Sequence, residues 1–141
     1  MIARAALLAR IERFHQRTKI VADQLTEKII AAAIEVHKVL GSGLLESIYE
    51  EAMCFELESM GILFERQVVI DVLYKGHVIH GQRLDLLVEH EVVVEVKSLR
   101  SLPDIATAQL LSYLKATGLK RGLLLNFGEK QMVRGIKRMS L

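Results

Sequence analysis

In the stretch LDLLVEHEVVVEVKSL, residues 84–99, two acids and a lysine occupy positions where a buried sheet would ordinarily carry apolar side chains. If Glu89, His90 and Glu91 form a hairpin turn, Leu84, Leu86 and Val88 face Val96, Val94 and Val92, an apolar set that fixes the register against a one-residue slip. The other face then brings Asp85 opposite Glu95, with Lys97 two residues further along the same side. Like charges directly opposite on paired strands repel, and a divalent cation is the simplest group that holds both. Carboxylate oxygens are hard ligands, so the pair points to Mg²⁺ or Mn²⁺ rather than zinc. A cation held by two acids keeps places for phosphate oxygens and a water, whose pKa it lowers. A neighbouring ammonium can orient that water, help deprotonate it, or neutralise charge growing on the phosphate. The chemistry indicated is phosphodiester hydrolysis. Alone, the Glu-x-Lys tripeptide is more often a solvated hairpin face; Asp85 opposite Glu95, on a hairpin whose reverse is apolar, favours the metal reading.

Gln109 and Tyr113, in SLPDIATAQLLSYLKATG, are four residues apart and therefore neighbours on one helix face. By themselves they suit a helix edge with a snorkelling tyrosine. A helix that follows the hairpin so closely can also lay them over the Asp85 and Glu95 face, to bind phosphate or water. Glu46 stands beside Leu45 and three residues before Tyr49, near the apolar border of its helix, a place that suits an exposed glutamate as well as a site acid. His37 fits a packed or helix-end histidine, and His15, His77, His80 and His90 have no metal-ligand spacing. Gly-Ser-Gly at 41–43 lacks the frame of a phosphate loop and reads as a linker between helices.

The elements that must position these residues follow from periodicity. TEKIIAAAIEVHKVL puts Ile29, Ala33, Val36 and Leu40 on one helical stripe, stopped by the glycines at 41 and 43. A second helix is expected in LLESIYEEAMCFELESMG, with Leu45, Ile48, Tyr49, Ala52 and Phe55 as its apolar positions, Ser42 as N-cap and Gly61 as its stop. ERQVVIDVLY alternates as a strand and turns at Lys75-Gly76 into HVIH. After the hairpin, the third helix takes Ser101 as N-cap, an early Pro103 and Gly118 as stop. GLLLNF is a short buried strand and IKRMSL an edge strand.

The chain has 141 residues, the size of one domain able to bury a single core. Half its residues are hydrophobic and a quarter charged, with one proline, which excludes a disordered or low-complexity chain. The lone Cys54 excludes an internal disulfide and fits a reducing compartment. No apolar run is long enough to span a bilayer, and the early IARAALLA is too short and too charged for a secretory signal, so a cytoplasmic protein without membrane attachment is expected. The net charge of +2 permits a nucleic-acid partner without demanding one; basic residues gather at both ends of the chain. Residues 1–24 are expected to form an N-terminal helix or arm, and 25–141 the domain itself.

Asp85, Glu95-Val96-Lys97 and Gln109-x-x-x-Tyr113, in that order, resemble the core of the PD-(D/E)XK nuclease superfamily in the branch with a Q-x-x-x-Y helix motif. Upstream, Gly43-x-x-Glu46-x-x-Tyr49 resembles the signature of the GxxExxY proteins, small single-domain members of that superfamily. The resemblance runs from about Leu25 to Leu141, with Leu84 in place of the proline of the superfamily motif. It implies an α/β, restriction-endonuclease-like core, a mixed β-sheet flanked by α-helices in a single domain. It also implies a Mg²⁺- or Mn²⁺-dependent nuclease in which Glu46, Asp85 and Glu95 bind metal, Lys97 serves the attacking water, and Gln109 and Tyr113 support the site. Some related nucleases use an upstream histidine, which keeps His37 in view. The expected partner is nucleic acid, DNA ahead of RNA, with a second copy of the chain or a partner protein needed to engage both strands. The alternative is a nuclease fold without catalysis that binds nucleic acid or protein.

Overall fold

A computed structural model of the protein describes residues 4–8 and 22–141. The expected arm over 1–24 lies largely outside the described residues; residues 4–8 are helical, with Leu7 buried against the domain. Helix α1 (Ala22–Leu40) and helix α2 (Glu46–Ser59) precede strands β1 (Phe64–Tyr74), β2 (His77–Val88) and β3 (Val92–Lys97). Helix α3 (Asp104–Thr117), strand β4 (Arg121–Asn126), a 3₁₀ turn (Met132–Gly135) and strand β5 (Ile136–Ser140) complete the chain. The five strands form one mixed sheet in sequence order, antiparallel except for β3 beside β4. That parallel pair needs a crossover, which α3 supplies.

Two cores sandwich the sheet. Leu25, Ile29, Ala33 and Val36 of α1, with Tyr49, Met53 and Leu57 of α2, bury Leu86, Val88, Val92, Val94, Val96, Leu123 and Leu125 on one face. On the other face Ala106, Leu110, Tyr113 and Leu114 of α3 cover Leu84, Leu87, Val93 and Leu124. This is the mixed sheet flanked by helices that the sequence implied. The α2 stripe differs from expectation: Leu45, Ile48 and Phe55 are exposed, as is Leu40 at the end of α1. Helix α2 is apolar on two sides, and the side carrying Tyr49, Met53 and Leu57, spaced by four, is the one that meets the sheet. Its N-cap is Leu45 rather than Ser42, and that of α3 is Pro103 rather than Ser101, neither with a side-chain cap. Gly41 and Gly118, both left-handed, end α1 and α3 as expected.

Beyond the sheet's C-terminal edge, the segments leaving β3 and β4 are stapled by Asn126, which is fully buried. Its side chain accepts from the Leu99 and Gly128 amides and donates to the Leu99 carbonyl. Gly128 passes so close to Leu99 that a Cβ there would lie 2.1 Å from the Leu99 carbonyl oxygen. Asn126→Ala would leave three main-chain groups without their partner, each costing about 1–3 kcal/mol when buried. We expect a loss of at least about 3 kcal/mol in urea denaturation, with unchanged secondary structure by circular dichroism at low denaturant.

Candidate active site

The hairpin forms in the register its apolar face dictates: Leu86 pairs with Val94, Leu87 with Val93 and Val88 with Val92 around the turn 89–91. Glu89 and His90 are both left-handed, which is costly for residues with a Cβ. Mutual bonds between Glu89 and Leu63 hold the turn: Glu89 N–H donates to the Leu63 carbonyl, and Leu63 N–H to Glu89 Oε1.

The ladder between β2 and β3 stops at Leu86 and Val94, and from there the two strands separate. Asp85 and Glu95 occupy the fork. The Asp85 amide donates to Glu95 Oε1 at 3.1 Å, and the Val96 amide donates to Asp85 Oδ2 at 2.8 Å, so each carboxylate caps the opposite strand where the ladder bonds end. β1 is irregular at the same level. Gln67 is left-handed, and pairing between β1 and β2 skips from Arg66–Leu86 to Val68–Leu84. Side-chain alternation slips there: Leu84 joins the core beneath α3, with Val68 and Ile70, while Leu86 stays with α1 and α2. The expectation that Leu84 shares a face with Leu86 and Val88 is therefore corrected. A regular strand would have kept the alternation; the left-handed, unpaired Gln67 interrupts it.

The fork is electrostatically tense. Glu95 is 3% exposed, and burial, then the neighbouring Asp85, push its carboxyl up to about 8. Burial raises Asp85 as well, against the Val96 amide bond that favours its charged form; Glu50 adds to the rise, and Lys97 draws both acids back down. Tyr113 reaches this place from α3: it is buried, and burial followed by Glu95 and Asp85 pushes its phenol up to about 12. Gln109 lies exposed one turn earlier on the same helix face, and its side chain draws the Tyr113 phenol slightly back down. The fork thus gathers Asp85, Glu95, Lys97 and Tyr113, with Gln109 on its rim.

Glu46 is placed by the residues around it. Tyr49, fully buried, stacks on Phe127 with ring centroids 4.5 Å apart, donates its hydroxyl proton to the Gly41 carbonyl, and accepts from the Leu44 amide. The loop tied down in this way meets the end of β3, where Ser98 Oγ donates to the Leu44 carbonyl and the Ser98 amide donates to Glu46 Oε1 at 3.4 Å. Glu46 therefore lies beside the residue after Lys97. Among the described residues, no three acids, histidines or cysteines stand close enough together to hold a metal. His37 packs near Phe127 and bonds the Glu129 carbonyl through Nε2, the role of a packed histidine.

Two residues that the sequence did not single out belong to the surroundings of the fork. Glu50, buried on α2, accepts from Gln67 Nε2 at 2.6 Å and pairs with Arg66 at 2.9 Å, and the same Gln67 amide reaches Asp85 Oδ1 at 3.5 Å. Glu50 lies one turn beyond Glu46, a spacing that was visible; its burial was hidden because Glu50-Glu51 looks like a solvated acidic pair.

A profile of the PD-(D/E)XK nuclease superfamily matches residues 23–139, and the chain belongs to that superfamily. Neither a curated protein nor a solved structure matches it. Among the described residues, no helix is long and apolar enough to cross a membrane.

Proposed function

We propose that this protein is a divalent-metal-dependent nuclease that hydrolyses phosphodiester bonds in nucleic acid, DNA ahead of RNA. The observation that carries the reading is the Asp85–Glu95 pair in the strand fork, a half-buried acid that raises the proton affinity of the buried one, with Lys97 drawing both back down. Their donor set is all oxygen and leaves places for phosphate and water, which suits Mg²⁺ or Mn²⁺. Such an ion, when bound, polarises the phosphate and lowers the pKa of its water. Asp85 and Glu95 would hold it; Glu46, which stands on the Ser98 amide apart from the pair, would have to turn towards them to serve as a third carboxylate. Lys97 orients the attacking water and offsets charge growing on the phosphate. Tyr113, kept protonated by its burial beside two acids, donates to a phosphate oxygen or the water, and Gln109, its neighbour one turn away on the same face, supports the phosphate from the rim. The test is cleavage of labelled DNA and RNA with Mg²⁺ or Mn²⁺, abolished by a chelator. Binding of nucleic acid without cleavage under any metal would leave the fold as a binding module.

Glu50 and Gln67 act through Asp85 by fixing its Oδ1. Groups that orient a ligand typically contribute 10–100-fold to metal affinity. Glu50→Ala is expected to weaken Mn²⁺ binding by about ten-fold in calorimetry while the variant remains folded.

A further inference from the structure

A cleft of about 380 Å³ lies between the segments that leave β3 and β4, lined by Arg100, Gly128, Glu129, Lys130, Gln131 and Arg134. Its three cations are exposed, and none of them forms a salt bridge among the described residues. Glu129 is the acid in the lining, and its carbonyl is engaged by His37. We propose that this cleft is the track for the nucleic-acid backbone beside the scissile bond, in which Arg100, Lys130 and Arg134 hold phosphates that flank the one being cut. The inference takes its partner from the nuclease reading above and assigns that partner a path.

Three observations support it. First, the cleft begins close to the fork along the chain that leaves β3: Arg100, in its lining, is three residues past Lys97, at most about 10 Å along an extended chain. That matches the spacing of a few nucleotides, since phosphates of one strand rise about 3.4 Å per step along a duplex. Second, the cleft is rigidly tied to the site. The Asn126 side chain binds Leu99 and Gly128 together, and the Phe127 amide donates to the Lys97 carbonyl at 2.8 Å. Gly128 has no room for a side chain against Leu99, so the two walls meet backbone to backbone. Third, cations that lack acidic partners cost little to bring to a polyanion, and each phosphate they neutralise releases counterions.

The experiment is fluorescence anisotropy of a labelled duplex and a labelled single strand in EDTA, across a salt series, with the full chain. The triple variant Arg100→Ala, Lys130→Ala, Arg134→Ala is expected to bind at least ten-fold more weakly at 0.1 M salt. The slope of log affinity against log salt should flatten by about 2 to 3, roughly one per lost phosphate contact. A variant carrying Arg100→Lys and Arg134→Lys keeps the charge and should keep the slope. If the triple variant does not fold, single Lys130→Ala and Arg134→Ala variants should each flatten the slope by about 1. Unchanged affinity and slope in the folded variants overturns the track. If the wild type cuts with Mn²⁺ while the triple variant binds and cuts equally, the track fails and the nuclease reading stands. If binding depends on the three cations but no metal supports cutting, the nuclease reading fails and the cleft stands as a backbone-binding track without a scissile bond beside it.

Discussion

Replacing Lys97 by alanine should lower the rate of nucleic-acid cleavage by about 10²–10³-fold, the range typical of removing one group that stabilises charge in the transition state or moves a proton. Lys97 lies at the end of β3, half-buried, close enough to draw down both acids of the fork. Its loss should therefore leave binding of the nucleic-acid backbone largely intact while chemistry stops. Glu95→Ala should be at least as severe, because it removes half of the carboxylate pair. Both variants should keep a cooperative thermal transition, which separates a chemical defect from an unfolded one. Single-turnover cleavage with Mn²⁺, measured beside the melting curve, checks the prediction; a Lys97→Ala rate within three-fold of wild type would remove the lysine from the mechanism.

The second large effect is on stability, and it has the opposite sign to the first. Glu95 has its carboxyl raised from an ordinary value near 4.5 to about 8, by burial first and Asp85 second. In the metal-free protein the neutral form is thus favoured by folding, and stability from this group is fully present below about pH 4.5. Between there and about 8 the folded state binds a proton that the unfolded chain has released, so stability falls by up to about 1.4 kcal/mol per pH unit. Asp85, raised for the same first reason, pulls in the same direction. Glu95→Gln removes the titrating proton, keeps an oxygen to accept from the Asp85 amide, and relieves the repulsion. At pH 8 without metal it should melt roughly 5–10 °C above wild type and lose most of the pH dependence. The same variant should be inactive. Saturating Mn²⁺ should raise the wild type and leave Glu95→Gln where it is, since a ligand stabilises only the state that binds it. Differential scanning calorimetry from pH 5 to 9, with and without Mn²⁺, reads all of this; a wild type that gains stability as pH rises from 5 to 8 would show that the fork is not the strained element described here.

Much of this was legible because hairpins and helix stops are local. The apolar set around Val92 and Val94 selects one register, and that register alone brings Asp85 to Glu95. Gly41, Gly61, Gly76 and Gly118 take the left-handed conformations that their places in the sequence required. What escaped is tertiary. The slip that sends Leu84 to the α3 face follows from a left-handed Gln67 with no sequence mark, and from β2 leaving β3 where the acids begin. Which of the two apolar sides of α2 faces the sheet depends on Tyr49 docking against Phe127, a residue 78 positions away. Glu50 was overlooked for the same reason: only the packing of α2 beside β1 shows that it reaches Asp85 through Gln67. The Gly43, Glu46 and Tyr49 pattern gained a physical meaning in return, since Tyr49 ties down the loop that presents Glu46 at the end of β3.

If the Asp85–Glu95 pair holds a divalent cation, titration calorimetry with Mn²⁺ at pH 7 should see it. At that pH Glu95 carries a proton that a cation must displace. Saturable binding with release of a proton is expected, seen as heat that changes with the ionisation enthalpy of the buffer, with both signals lost in Asp85→Asn and Glu95→Gln. Absence of Mn²⁺ binding by the folded wild type, or binding that survives both substitutions, would contradict it.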